Sequence, residues 1–134
     1  MLNESCINNL IGTSTVFPKF GQASQPLTFE VIASGLDSPR GLTFGPHGAL
    51  YVAEAGSGGP GASIPSPSIP GAQVSYGASG AITRIQDGEV KRIVTGLPSL
   101  ALPDGSDASG IHDIEFDANG NAYGVFGFAS DPKY

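Results

Sequence analysis

The sequence predicts an all-β fold assembled from repeated four-stranded units, and three observations carry that reading. The segment Arg40–Gly56 returns as His112–Gly127, with Leu42 answering Ile114, Phe44 answering Phe116, Gly48 answering Gly120 and Tyr51 answering Tyr123. A second match sets Ile32–Leu36 against Ile93–Leu97. Short apolar runs are separated throughout by turn residues, with 20 Gly and 11 Pro among 134 residues, and no long amphipathic helical pattern interrupts them. Internal repeats fix architecture ahead of local propensity. Repeated short strands separated by tight turns point to a β-propeller, in which blades of four antiparallel strands stack side by side.

Taken in chain order, residues 1–27 read as a poorly ordered tail or a decayed signal segment. Leu10, Ile11, Val16 and Phe17 are only weakly apolar, no basic stretch precedes them, and Lys19 lies on the wrong side for an export signal. Phe29–Ser34 matches, by repeat, the outermost strand of a preceding blade. Residues 40–44 alternate as a short strand, and Gly45–Gly48 supplies a proline with preset φ and a glycine able to take positive φ, which is a hairpin turn. Residues 49–54 are apolar at most positions, as suits a strand covered on both faces. Residues 57–78 are a Pro/Gly-rich insertion read as a loop. Strands at 80–85 and 89–95 flank Asp87-Gly88, a strong hairpin signal. A second insertion spans 98–110, and 112–127 gives two inner strands of a following blade around Asn119-Gly120.

The expected architecture for residues 28–134 is therefore a partial β-propeller. It has one complete four-stranded blade at about 40–95 and strands of two neighbouring blades. The repeats lie 72 residues apart from Arg40 to His112, longer than the ~40–45 residues of a typical blade, and the two insertions account for the excess. Seven strands fall short of the roughly 16 of the smallest closed propeller. The expectation is thus a fragment of a larger propeller whose open edges favour self-association.

Charge excludes several function classes. Twelve acidic against 6 basic residues, a formal net charge of −6, argue against a nucleic-acid surface. No apolar run reaches the length of a membrane span. Cys6 is the one cysteine, so no intramolecular disulfide is available.

The run Val31–Gly56, continued by Gly77–Arg84, Val94–Leu100 and Gly110–Asp113, resembles the ScyD/ScyE family over roughly residues 29–130. The resemblance implies an extracytoplasmic (periplasmic or secreted) six-bladed propeller related to NHL and TolB-like repeats. Its founding members lie in gene clusters for the pigment scytonemin. It implies a binding or scaffold role in secondary metabolism, with a small molecule or a pathway protein as partner. Some relatives carry a cysteine pair in the Pro/Gly-rich insertion, where this chain has Ser63 and Ser75.

Propeller ligands meet the mouth of the central channel, where innermost strands begin. By repeat, Arg40 and His112 start equivalent innermost strands, with Asp37 before one and Asp113 inside the other. These four are the candidate ligand-binding residues. A guanidinium and an imidazole at one mouth favour an anionic or carbonyl-bearing ligand, with the carboxylates orienting the donors. Neighbours in a strand point to opposite faces, so His112 and Asp113 line one site only if the strand bulges there. No cofactor is expected on this reading, and no metal site. The alternative is a metal-assisted hydrolase or lactonase-like enzyme with calcium at the channel mouth, drawing its oxygen ligands from Asp37, Glu54, Asp104, Asp107 and Asp113. No serine-nucleophile elbow or phosphate loop is present.

Overall fold

The computed structural model describes residues 28–127. All seven strands fall in one compact unit beginning at Val31, whereas Thr28–Glu30 fall to the N-terminal one. The predicted tail, 1–27, lies outside the described residues.

The chain is all-β, and its sheets are antiparallel. Strands β1 (Pro39–Phe44), β2 (Leu50–Glu54), β3 (Ser63–Pro65), β4 (Gln73–Gln86), β5 (Glu89–Ala101), β6 (Ile111–Phe116) and β7 (Ala122–Phe126) are joined mostly by turns. A single 3-10 turn, Pro46–Gly48, lies between β1 and β2. β1, β2, β4 and β5 lie side by side in that order, β3 adds to β4 beyond the end of β2, and β6 and β7 form a separate two-stranded sheet. Neither sheet closes on itself. The four strands expected at 40–44, 49–54, 80–85 and 89–95 are thus all present and adjacent.

The repeat survives at the level of individual hydrogen bonds. Pro39 faces Glu54, Leu42 faces Val52, Thr43 faces Tyr51 and Phe44 faces Leu50. Ile111 faces Phe126, Ile114 faces Gly124, Glu115 faces Tyr123 and Phe116 faces Ala122, the same register 72 residues on. The turns match too: Gly45 donates to the Ala49 carbonyl (2.9 Å) and Gly48 to the Gly45 carbonyl, as Asp117 does to Asn121 (3.0 Å) and Gly120 to Asp117. In the second turn the Asp117 carboxylate also accepts from the amides of Asn119 and Asn121, at 2.9 Å each. Position 45 has no room for such a side chain. A Cβ there would sit 2.5 Å from the Tyr51 ring and 2.7 Å from the Phe116 ring.

Two expectations are corrected. Phe29–Ser34 forms no strand; no described strand pairs with it, and Phe29, Val31 and Ile32 are exposed. An apolar pattern becomes a strand only when it finds a partner edge. The insertion 57–78 is not wholly loop. It contributes β3 and the first half of β4, and its glycines lie packed against the sheet, since a Cβ on Gly77 would overlap the Gly58 backbone. Likewise the start of 98–110 completes β5, and Leu100 and Ser109 then pair across a tight turn.

The core sits where the second hairpin docks on the first sheet. Ala53, Ile111 and Ile114 are fully buried, with Tyr51, Ile82, Leu97 and Phe116 packed around them. The rings of Tyr51 and Phe116 meet at 4.6 Å, tilted by 55°. That geometry lies within the range favoured by aromatic quadrupoles. A smaller cluster of Ala55, Ala101 and Ala108 lies alongside.

Candidate functional site: two bulges and a buried ion pair

Each inner strand bulges at the residue singled out by the repeat. Between the pairs Pro39–Glu54 and Leu42–Val52, two residues of β1, Arg40 and Gly41, oppose one of β2. Between Ile111–Phe126 and Asp113–Val125, His112 has no partner at all. A bulge redirects a side chain and interrupts the ladder, and such features recur beside binding sites. The two bulges touch: a Cβ on Gly41 would overlap the Asp113 carboxylate and the His112 carbonyl. Glycine at 41 is therefore what lets the strands meet.

The four candidate residues divide into two groups. Arg40, His112 and Asp113 lie on the two touching bulges. Arg40 is exposed and donates to the Ala108 carbonyl at 2.5 Å. His112 is half-buried, and its Nε2 is a buried polar atom with no hydrogen-bond partner, while its other ring nitrogen lies against Gly127. A buried nitrogen left unsatisfied is uncommon enough to demand an explanation. Asp113 is exposed, and its carboxylate accepts from the Ile114 amide at 2.9 Å. Asp37 belongs elsewhere, held by Arg92 at 3.2 Å.

That second centre is built on Glu54, at the end of β2 and wholly buried. Arg92 grips it in a fork, Nε to Oε1 at 3.1 Å and Nη2 to Oε2 at 2.7 Å. The Thr83 hydroxyl donates to Oε1, and the Asp37 amide to Oε2 at 2.6 Å. Arg92 also donates to the Gly35 carbonyl at 2.9 Å. Burial alone raises the Glu54 carboxyl, but the hydrogen bonds from Arg92, Thr83 and Asp37 outweigh it and hold the group below the ordinary glutamate value. The same Glu54 hydrogen bond raises Arg92. The cluster ties β2, β4 and β5 to the segment before β1.

Sequence reasoning named Glu54 only as a calcium ligand and did not single out Arg92. The legible signal was one acidic residue closing an otherwise apolar strand, which requires a buried partner. With both oxygens taken by four donors, Glu54 offers nothing further to a cation. Asp104 is likewise engaged, accepting from the Ser106 amide and hydroxyl in an exposed turn, which hold its carboxyl below the ordinary range. Among the described residues no three His, Cys, Asp or Glu side chains converge as a metal site.

Described residues line two open clefts, of which the second borders the Glu54–Arg92 centre. One, of about 540 Å³, runs between the two equivalent turns and is lined by Phe44–Pro46 and Phe116–Gly120. The other, of about 460 Å³, is lined by Ser34–Leu36, Thr83 and Val90–Arg92. Neither includes Arg40, His112 or Asp113. In the insertion, Ser63 lies directly across from Ser75 on β3 and β4, their hydroxyls 2.7 Å apart.

Comparison with protein-family models, with curated proteins and with solved structures finds no match to this chain. Among the described residues no helix is long and apolar enough to cross a membrane.

Proposed function

We propose that the chain is part of an extracytoplasmic propeller of the ScyD/ScyE type. In this reading it serves as a binding or scaffold module in secondary metabolism and takes an anionic or carbonyl-bearing small molecule at the paired bulges of Arg40 and His112. The observation that carries the ligand reading is His112 Nε2, buried and without a partner at a break in the ladder. A bound oxygen or acidic proton would satisfy it, and the exposed guanidinium of Arg40, on the neighbouring bulge, retains further donors for a carboxylate. The propeller reading draws support from the register and turn bonds that β6–β7 share with β1–β2. It also draws support from Ser63 and Ser75, which face each other where some relatives have a cysteine pair. Binding is preferred over hydrolysis because Glu54, Asp37 and Asp104 are spent on internal partners.

Phenylpyruvate, which carries both a carboxylate and a carbonyl, is a suitable probe. In calorimetric titration, Arg40→Ala and His112→Ala should each weaken its binding about tenfold or more, as expected for losing a hydrogen bond to a charged group. His47→Ala, in an exposed turn, should leave it unchanged. If neither bulge substitution alters binding while circular dichroism stays native, Arg40 and His112 are struts between strands and the ligand reading fails.

A further inference from the structure

The two repeats pack on each other through opposite faces, and each exposes the face that the other turns inward. The second hairpin docks through Ile114 and Phe116, which pack with Tyr51 and Ala53 on the first sheet. By register, Leu42 and Phe44 are the equivalents of Ile114 and Phe116, and Tyr123 and Val125 are the equivalents of Tyr51 and Ala53. Strand alternation sets Leu42 and Phe44 away from Thr43, whose hydroxyl reaches Glu115 of β6, and sets Tyr123 and Val125 away from Ile114. All four are exposed: Leu42 61%, Phe44 73%, Tyr123 60% and Val125 63%. The segment before β1 meets the first sheet at Glu54 and Arg92 and leaves Leu42 and Phe44 uncovered. Contiguous exposed apolar surface of this kind marks an interaction site.

We propose that the chain associates head to tail with further copies of itself. The Leu42–Phe44 face of one copy docks on the Tyr123–Val125 face of the next, as the second hairpin docks on the first sheet within one chain. A second copy is the occupant because the chain already holds this interface once, with both halves built from repeats of one sequence. Within the chain the rings of Tyr51 and Phe116 meet at 4.6 Å. Between copies Phe44 takes the place of Phe116 and Tyr123 that of Tyr51, which gives the same favourable aromatic pair. The Tyr123 hydroxyl lies 3.4 Å from the Asp117 carboxylate, which orients the ring for that contact. The interface is heterologous, so every added copy leaves one face open and assembly continues past the dimer until a ring closes. It uses the faces of the sheets and asks nothing of their hydrogen-bonding edges, and it does not depend on the ligand reading.

The test is a pair of variants, each lacking one face, studied by sedimentation velocity. The unmodified chain should form oligomers whose mean mass rises with concentration. Leu42→Lys/Phe44→Lys removes the docking face and Tyr123→Lys/Val125→Lys the receiving face, and each variant alone should sediment as a monomer. Mixed in equal amounts, they should form a dimer of one copy of each and nothing larger. The intact docking face of one meets the intact receiving face of the other, and the two remaining faces both carry lysines and repel. Circular dichroism and a cooperative melt show whether each variant is folded. Where a lysine pair unfolds the chain, the corresponding threonine pair keeps strand propensity, removes the same apolar face and carries the same expected outcome. Head-to-tail association is overturned by an unmodified chain that stays monomeric at all concentrations, including one whose faces are covered by its own termini. It is equally overturned by a folded variant that associates alone, or by a mixture that stays monomeric or grows beyond the dimer.

Discussion

At the scale of single residues, Glu54 is the one charged side chain that is wholly buried among the described residues. Removing one partner of a buried ion pair typically costs about 3–5 kcal/mol. Arg92 is 39% exposed and keeps part of its hydration, which places Glu54→Ala toward the lower end, about 3 kcal/mol. The same pair sets an acid limit. Because the Glu54 carboxyl is lowered in the folded chain, the unfolded chain takes up the proton at higher pH. Its contribution is complete above the ordinary glutamate range of about 4.3 and is lost as pH falls through the lower folded value. Thermal melts between pH 6 and 3 should show the unmodified protein losing its advantage over Glu54→Gln across that window. Asp104 and Asp117 also titrate low, but they do so in both proteins and cancel from the difference. Parallel melting curves would show that Glu54 is not the group responsible. The sequence marked Arg40 and His112 because repeats align positions in space. Arg92 could not be marked that way, since its partner lies 38 residues away in sequence and only the antiparallel meander brings the two together.

At the scale of elements, strands paired by a tight turn were readable, and strands paired over glycine were not. Asp87-Gly88 takes positive φ at both positions, 51° and 79°, as the hairpin signal required. Beyond it, β4 and β5 continue well past the predicted ends, through Gly77 in one strand and Gly96 and Pro98 in the other. Composition alone makes that stretch a loop. In the fold, Gly77 accommodates the Gly58 backbone, and Pro98 sits at an irregularity between Gly77 and Gly80 where the ladder is interrupted. The predicted strand at 29–34 failed for the opposite reason: its apolar pattern finds no pairing strand among the described residues. The insertion offers its own test. Ser63 and Ser75 are cross-strand neighbours, whose Cα spacing of about 4.5–5.5 Å falls within the range that a disulfide spans. Ser63→Cys/Ser75→Cys, made with Cys6→Ser, should oxidise without strain and raise stability by about 3 kcal/mol, as expected for a loop of this size. Thiol titration and paired oxidised and reduced melts measure it. A double variant that stays reduced would remove both the cross-strand register and one support for the family resemblance.

At the scale of the whole molecule, the two hairpins differ in how much they can stand alone. The long β4–β5 ladder is shared with β2 and β3, whereas β6–β7 is a short two-stranded sheet, and such sheets are marginal in water without a face to pack on. Its hold on the rest passes through Ile111 and Ile114, which are 1% and 2% exposed and packed with Ala53 of β2. Truncating Ile111 to alanine should cost about 2–5 kcal/mol, the range for deleting a buried branched side chain. The loss should not be uniform. Hydrogen exchange should show the amides of β6 and β7 losing protection first and most, while those in the centre of β4 and β5 keep theirs, because local opening follows the units with fewest buried contacts. This order also bears on the paired bulges, since the bulge at His112 and Asp113 meets Gly41 only while β6 stays docked. Ile111→Ala should therefore weaken phenylpyruvate binding without touching either bulge residue, and excess ligand should restore protection to β6 by mass action. If exchange instead rises evenly through all seven strands, the hairpin and the larger sheet unfold as one cooperative unit, and the docking core holds up the entire fold rather than a single flap.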